Sequence, residues 1–219
     1  MRGQMVKDAD GNETIDQESV NELVDYALGH GVNYFDSAPV YLQGQSERAT
    51  ALALLRHPRD TYYIATKMSN FRDCSLEGSI AMYQASLRNY ETDHLDYYLL
   101  HSVKNSQDFR RRFEDNGLME YLLEERRLGH IRNLGFSFHG GRDGFDELMA
   151  VHEKYHWDFA QIQMNYVDWT HMESKVNARR KEANAEYLYG ELEKRGLPVV
   201  IMEHLLGGKL ANLPAAVGA

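Results

Sequence analysis

The sequence contains a single cysteine and no long apolar run among its 219 residues. The lone thiol, Cys74, excludes an internal disulfide bond and any metal cage built from cysteines alone. The amino terminus lacks the apolar core of a secretion signal, and no stretch is long enough to cross a bilayer. We therefore expect a cytoplasmic protein without a membrane partner.

Basic residues are also few, with 24 Lys and Arg against 33 Asp and Glu and a net charge of -9. This balance argues against nucleic acid as a partner, and we expect the basic segment 109–113 (FRRRF) to be a solvated helical face. The ten histidines include no H-E-x-x-H motif, so we expect no zinc site. The glycine-rich stretch 139–144 (HGGRDG) lacks the spacing of a phosphate-binding loop.

Short β-rich runs alternate with amphipathic segments along the chain. The runs cover residues 32–36, 61–67, 95–101, 131–137, 159–165 and 198–203. Several of them are nearly apolar throughout, which is typical of parallel strands covered on both faces. The hydrophobic content of 43% is enough for a sizeable core, and we expect one domain over residues 1–219.

The intervening segments have the apolar spacing of helices. Predicted helices lie near residues 20–28, 46–56, 75–90, 118–128, 145–152 and 182–195, the last after a loop from about 171. Thr14 and Gln17 predict a capping box, and Gly29 or Gly31 predicts the end of the first helix. The alternation favours an open doubly wound sheet or a (β/α)8 barrel. The absence of a G-x-G-x-x-G motif disfavours the open sheet.

Every predicted strand ends in a side chain that can ionise or form hydrogen bonds. These residues are Asp36 (with Tyr41 in the loop beyond), Lys67, His101, Ser137, the pair Gln163 and Asn165, and Glu203. Taken singly, each has a plain structural explanation, such as a turn residue or a packed loop aromatic. In a barrel, however, the carboxyl ends of the strands form the active site. The joint pattern therefore predicts a catalytic rim.

An aspartate, a tyrosine, a lysine and a histidine suit the reduction of a carbonyl group. A free phenol has a pKa of about 10, and a neighbouring ammonium lowers that pKa by favouring the phenolate. A carboxylate paired with the lysine keeps it charged and oriented, while a histidine can steer a carbonyl oxygen toward the phenol. The hydride itself must come from a cofactor.

Together with their flanking residues, these positions resemble the aldo-keto reductase superfamily. The resemblance is carried by GVNYFDSAPVYLQGQSE, IATK, LDYYLLH, GHIRNLGFS, QIQMNY and VIMEHLLGGKLANLP. These stretches match the family's strands 2 to 7 and imply an α/β fold of the TIM (β/α)8 type. GFSFHG and WDFAQIQMNYVDW are most similar to a bacterial branch whose members often carry a carboxyl-terminal iron–sulfur segment.

The resemblance implies a role for each catalytic position. Tyr41 would be the proton donor, Asp36 and Lys67 would tune it, and His101 would orient the carbonyl of a small-molecule substrate. The implied activity is reduction of an aldehyde or ketone to an alcohol with NADPH, NADH remaining open. Two alternatives are a non-catalytic, reductase-like interaction module and an inactive truncated fragment.

The resemblance also implies a nicotinamide site. Ser137 and Gln163 match positions that hold the carboxamide, and Met202 stands where many relatives stack a tyrosine on the ring. The sequence departs from the family pattern at Phe138 and at His204, where asparagine and proline are usual.

The family's first and eighth strands, and the basic segment that grips the adenosine phosphate of NADP, have no counterpart in the sequence. We therefore expect an incomplete barrel with strands 2 and 7 as bare edges. Such edges predict self-association, and the missing segment predicts weak NADPH affinity.

Overall fold

The computed structural model describes residues 5–7, 10–165, 169 and 184–211. Its elements follow the order β1 (Met5–Lys7), β2 (Glu13–Ile15), α1 (Gln17–Gly29), β3 (Tyr34–Asp36), α2 (Ser46–Leu54), β4 (Tyr63–Met68), α3 (Leu76–Tyr90), β5 (Leu95–Val103), α4 (Ser106–Phe109), α5 (Leu118–Arg127), β6 (Ile131–Phe138), α6 (Arg142–Tyr155), β7 (Phe159–Gln163), α7 (Ala185–Lys194) and β8 (Val199–Met202). All predicted strands and helices are confirmed. Residues 171–183, where we predicted a loop and the start of the last helix, lie outside the described residues.

One sheet contains six of the strands, in the order β3-β4-β5-β6-β7-β8. Parallel pairing joins β3 with β4, β4 with β5, β6 with β7 and β7 with β8. Successive strands are joined through helices, as a (β/α) barrel requires. Within the described residues, β3 and β8 end the strand order, so the predicted edge strands are confirmed.

An antiparallel hairpin of β1 and β2 precedes the first helix and was not predicted from the sequence. Gly11 supports its turn because its φ of +83° lies in the left-handed region, which glycine adopts at no steric cost. The predicted capping box is wrong, because Thr14 belongs to β2. Asp16 caps α1 instead, its carboxylate accepting a hydrogen bond of 3.2 Å from the backbone N–H of Ser19.

The described residues fall into two compact units. The first lies within Met1–His101 and Arg110–Leu134, and the second within Ser102–Phe109 and Gly135–Ala219. The core of the first unit includes Val24, Phe35, Ile64, Leu99 and Leu122. The core of the second includes Phe109, Phe136, Leu148, Ile162 and Leu192. Strands β4, β5, β6 and β7 contribute buried residues at successive positions, which accounts for their continuous apolar runs.

The glycine-rich stretch 139–144 serves close packing within the second unit. A Cβ atom added to Gly140 would lie 1.9 Å from the carbonyl oxygen of Lys104, and one added to Gly144 would lie 2.4 Å from the same oxygen. Only residues without a side chain let α6 begin this close to the backbone after β5.

The prediction of a solvated face for 109–113 is wrong at Phe109, Arg112 and Phe113, which are all buried. Arg112 is 1% exposed and lies in a π-helical turn, Arg110–Glu114. Its guanidinium lies 4.5 Å from the ring centroids of both Phe71 and Phe113. The cation is therefore buried between aromatic faces, which attract it electrostatically.

Candidate active site

Asp36 and Lys67 form an ion pair at the carboxyl ends of β3 and β4 in the first unit. The ammonium also donates a hydrogen bond of 2.7 Å to the carbonyl oxygen of Ser37. Lys67 is 1% exposed, whereas the Asp36 side chain is 27% exposed. The lysine is thus a buried cation whose position is fixed by acceptors on the neighbouring strand.

Burial lowers the pKa of Lys67, because removal from water disfavours the charged form. The Asp36 carboxylate opposes this effect by its charge and hydrogen bond, and Glu47 opposes it by its charge. Glu47 is itself buried and accepts hydrogen bonds from Thr66 (2.5 Å) and Asn89 (2.9 Å). Glu47 ends one of the stretches that carry the family resemblance, but no role was predicted for it from the sequence.

Tyr41 lies on an unusual turn beyond β3. Its backbone N–H donates a hydrogen bond of 3.1 Å to the carbonyl oxygen of Ala38. The next three residues, Leu42, Gln43 and Gly44, have φ angles of 49°, 56° and 88°. A non-glycine residue in this left-handed region costs about 1–2 kcal/mol. Contacts outside the turn must therefore stabilise it.

The side chain of Gln45 supplies such contacts. Its oxygen accepts hydrogen bonds from the backbone N–H of Ile15 (3.2 Å) and the hydroxyl of Thr14 (3.3 Å), and its amide donates 3.1 Å to the carbonyl of Glu13. All three partners belong to β2. The amino-terminal hairpin thus anchors the chain directly after the tyrosine turn.

The four predicted catalytic side chains lie together in the first unit. The Tyr41 hydroxyl is 3.5 Å from Nε2 of His101, and the Lys67 ammonium is 5.0 Å from the centroid of the Tyr41 ring. Tyr41 and Asp36 are partly exposed, while Lys67 and His101 are buried. A phenol that can meet a ligand is therefore backed by a buried cation and a buried imidazole.

Two further residues surround His101. The hydroxyl of Ser69 lies 2.5 Å from Nδ1, and the ring of Phe71 lies 5.1 Å from the imidazole. Phe71 is 43% exposed, and Arg112 packs against it. Neither residue was predicted from the sequence, although Ser69 follows Lys67 by two positions and lies directly after the end of β4.

The predicted nicotinamide residues belong to the second unit, each at the carboxyl end of its strand. Ser137 is buried and its hydroxyl oxygen accepts 2.8 Å from the N–H of Ser102. Gln163 and Met202 are paired across β7 and β8, and both are partly exposed. Ser137 carries a hydroxyl and Gln163 carries an amide, and both are groups with which a carboxamide can form hydrogen bonds. The donor set therefore fits the predicted cofactor.

In the part of the chain that the structure describes, histidine, cysteine and carboxylate side chains form no group of three suited to a metal ion. No described helix combines the length and the apolar character needed to cross a bilayer.

Solved structures share this fold. The holo form of an aldo-keto reductase from Bacillus halodurans has a TM-score of 0.69 at 20% identity, covering 98% of this chain and 70% of that one. A Bombyx mori aldo-keto reductase in complex with NADP has a TM-score of 0.59 at 18% identity, covering 92% and 66%. The predicted fold, an incomplete barrel of the TIM type, is confirmed by these likenesses and by the six-stranded sheet.

Curated relatives match shorter stretches. A Glycine max protein named "Probable aldo-keto reductase 1" is 26% identical over 167 residues, which is 73% of this chain and 45% of that protein. The D-arabinose 1-dehydrogenase of Saccharomyces cerevisiae is 31% identical over 135 residues, 57% of this chain and 38% of that protein. In each match the aligned stretch spans less than half the length of the relative.

The model of one protein family spans nearly the whole chain. It is the model of the aldo/keto reductase family, and it matches residues 5–214. Its agreement with the fold and with the sequence motifs settles the classification: this chain belongs to the aldo/keto reductase family.

Proposed function

We propose that this protein reduces an aldehyde or ketone to the alcohol, with Tyr41 as the proton donor. The observation that carries the proposal is the approach of the Tyr41 hydroxyl to 3.5 Å from Nε2 of His101, beside the buried Lys67 ammonium. The Saccharomyces cerevisiae relative, which is named a dehydrogenase, supports the same class of chemistry.

Two polar atoms at this spacing can both donate to one oxygen. A carbonyl oxygen between the Tyr41 hydroxyl and Nε2 of His101 would accept from both at ordinary hydrogen-bond distances of about 2.7–3.1 Å. These contacts orient the carbonyl and stabilise the negative charge that its oxygen gains during reduction. Tyr41 then passes its proton to that oxygen, and the alcohol forms.

The remaining residues favour the deprotonated tyrosine. A nearby ammonium stabilises a phenolate, so Lys67 lowers the free-energy cost of proton release. Asp36 holds that ammonium in place and favours its charged form. Each of the four side chains thus has one task in a single proton transfer.

A nicotinamide cofactor, proposed as NADPH with NADH as the alternative, supplies the hydride when bound. Ser137 and Gln163 would hold its carboxamide and Met202 would pack against its ring. A cytoplasmic location and self-association through the edge strands β3 and β8 stay predictions. Size-exclusion chromatography at two protein concentrations would test the association.

Tyr41→Phe tests the proposal because it removes only the hydroxyl. We expect kcat for NADPH-dependent reduction of a small aldehyde to fall by about 10²–10⁴-fold, the usual contribution of a positioned acid. Tyr26→Phe, at an exposed position on α1, is the matched control and should keep full turnover. Near-UV circular dichroism would verify folding of both variants. Unchanged turnover in the folded Tyr41→Phe protein would refute the role of Tyr41.

Cofactor binding can be measured separately from turnover. Trp157 is buried and Trp169 is exposed, so titration with NADPH or NADH can be followed by quenching of their fluorescence. Met202→Tyr restores the aromatic residue that the resemblance leads us to expect, and it should tighten NADPH binding. Absence of quenching by either nucleotide would contradict the proposed cofactor.

A further inference from the structure

We propose that Ser69 is a positioning residue that fixes the tautomer of His101, so that Nε2 carries the imidazole proton and faces Tyr41. The proposal rests on the carbonyl reduction proposed above, which needs a donor at Nε2 to orient the substrate.

The distances around the Ser69 hydroxyl decide where its proton goes. Its oxygen is 2.5 Å from Nδ1 of His101 and 3.5 Å from the carbonyl oxygen of Lys67. A hydrogen bond weakens steeply toward 3.5 Å, so the one hydroxyl proton is donated to Nδ1. A neutral imidazole that accepts at Nδ1 carries its proton on Nε2.

Packing keeps this hydroxyl in place. Ser69 is 3% exposed, and its backbone N–H donates 3.3 Å to the sulfur of Met82 on α3. On another side of His101, Phe71 lies 5.1 Å from the ring and is itself held by Arg112. The imidazole therefore has a defined orientation as well as a defined tautomer.

The opposite tautomer would fail at the proposed step. A proton on Nδ1 leaves a lone pair on Nε2, which repels the lone pairs of a carbonyl oxygen instead of binding it. Ser69 thus supports catalysis through His101 without touching the substrate.

Ser69→Ala removes the donor at Nδ1. We expect kcat to fall by about tenfold, the effect of one lost hydrogen bond, while KM changes by less than about threefold. Ser69→Thr retains the hydroxyl and should restore most of the turnover. Ser79→Ala is the matched control, because Ser79 is also buried and its hydroxyl accepts a hydrogen bond from Asn70. It should turn over like the unmodified protein.

A second measurement reads the tautomer without catalysis. In protein labelled with ¹⁵N-histidine, the signals of His101, assigned by their loss in His101→Gln, should show a protonated Nε2 and an unprotonated Nδ1. Ser69→Ala should shift these signals toward a mixture of tautomers. A proton on Nδ1 in the unmodified protein, or identical signals in Ser69→Ala, would overturn the proposal.

The two measurements separate this proposal from the proposed function. If Tyr41→Phe left turnover unchanged, the reductase mechanism would fail, yet the nitrogen signals would still decide the role of Ser69. If Ser69→Ala kept full kcat in an enzyme that depends on Tyr41, the positioning role would be refuted alone.

Discussion

Replacing Asp36 by asparagine should shift the alkaline limb of the pH–activity profile to lower pH. As pH rises, the variant should lose activity before the unmodified protein does. The substitution keeps the size of the side chain but removes the charge that contacts Lys67. Burial, which lowers the pKa of Lys67, remains, while the largest opposing influence is lost. The Lys67 pKa therefore falls further, and the ammonium loses its proton earlier as pH rises.

The size of this change follows from the geometry of the pair. Two unit charges at a hydrogen-bonding separation of about 3 Å interact by about 5 kcal/mol at an effective dielectric constant of about 20. The Asp36 side chain is 27% exposed, so water screens part of this energy. We expect about 2 kcal/mol to be lost from the charged form, which moves the alkaline limb of activity down by about 1.5 pH units.

The assay is kcat/KM for aldehyde reduction measured from pH 6 to pH 10. Asp25→Asn is the matched control, because it removes the same charge from an exposed ion pair with Arg56. That variant should keep the profile of the unmodified protein. An alkaline limb of Asp36→Asn that stays in place, or moves to higher pH, would refute the assigned linkage between Asp36 and Lys67.

Three stability predictions can be checked by urea denaturation. Asp96→Ala should lower the free energy of unfolding by about 1–3 kcal/mol, because the buried backbone N–H of Ile64 would lose the carboxylate oxygen to which it donates a hydrogen bond of 2.9 Å. The carboxylate also accepts hydrogen bonds from Arg59 (2.5 Å) and Arg132 (2.8 Å), but those side chains are partly exposed. A loss below about 0.5 kcal/mol would contradict this prediction. Gly140→Ala should lower the free energy of unfolding by about 1–3 kcal/mol, because the added Cβ would overlap the carbonyl oxygen of Lys104. An unchanged free energy of unfolding would disprove the close packing. Gly190→Ala, inside α7 where a Cβ meets no described atom within 4 Å, should instead stabilise by about 0.5–1 kcal/mol; a loss of stability would show an unseen neighbour.

Regular elements could be predicted because their patterns are local. The apolar runs before Asp36, Lys67 and His101 indicated strands, and the polar residue at each end marked the candidate site. Leu118 and Phe145 likewise begin apolar stripes that fix a helix face. In these segments, burial repeats with the period of the backbone, so composition and spacing suffice.

Features that depend on distant partners were not predicted. Leu42 and Gln43 adopt left-handed conformations that neither residue prefers, and they do so in a turn tied to a hairpin about 30 positions earlier. From the local sequence, Arg112 is expected to be a surface charge. Its burial depends on tertiary contacts with the rings of Phe71 and Phe113. Ser69 acquires a partner only when β4 and β5 lie side by side. Such contacts arise from tertiary packing and leave little trace in local sequence.

The hydrogen bonds between the Gln45 side chain and β2 provide a remote reporter of the turn that carries Tyr41. The Ile15 amide is hydrogen-bonded to the Gln45 side chain, so its exchange with deuterated water requires that bond to open. Protection of the Ile15 amide from exchange therefore measures how often its hydrogen bond to Gln45 opens. Ile15 belongs to β2, which contributes no residue to the proposed proton transfer. Slower exchange at Ile15 on adding a carbonyl compound would show that ligand binding orders the turn of Tyr41.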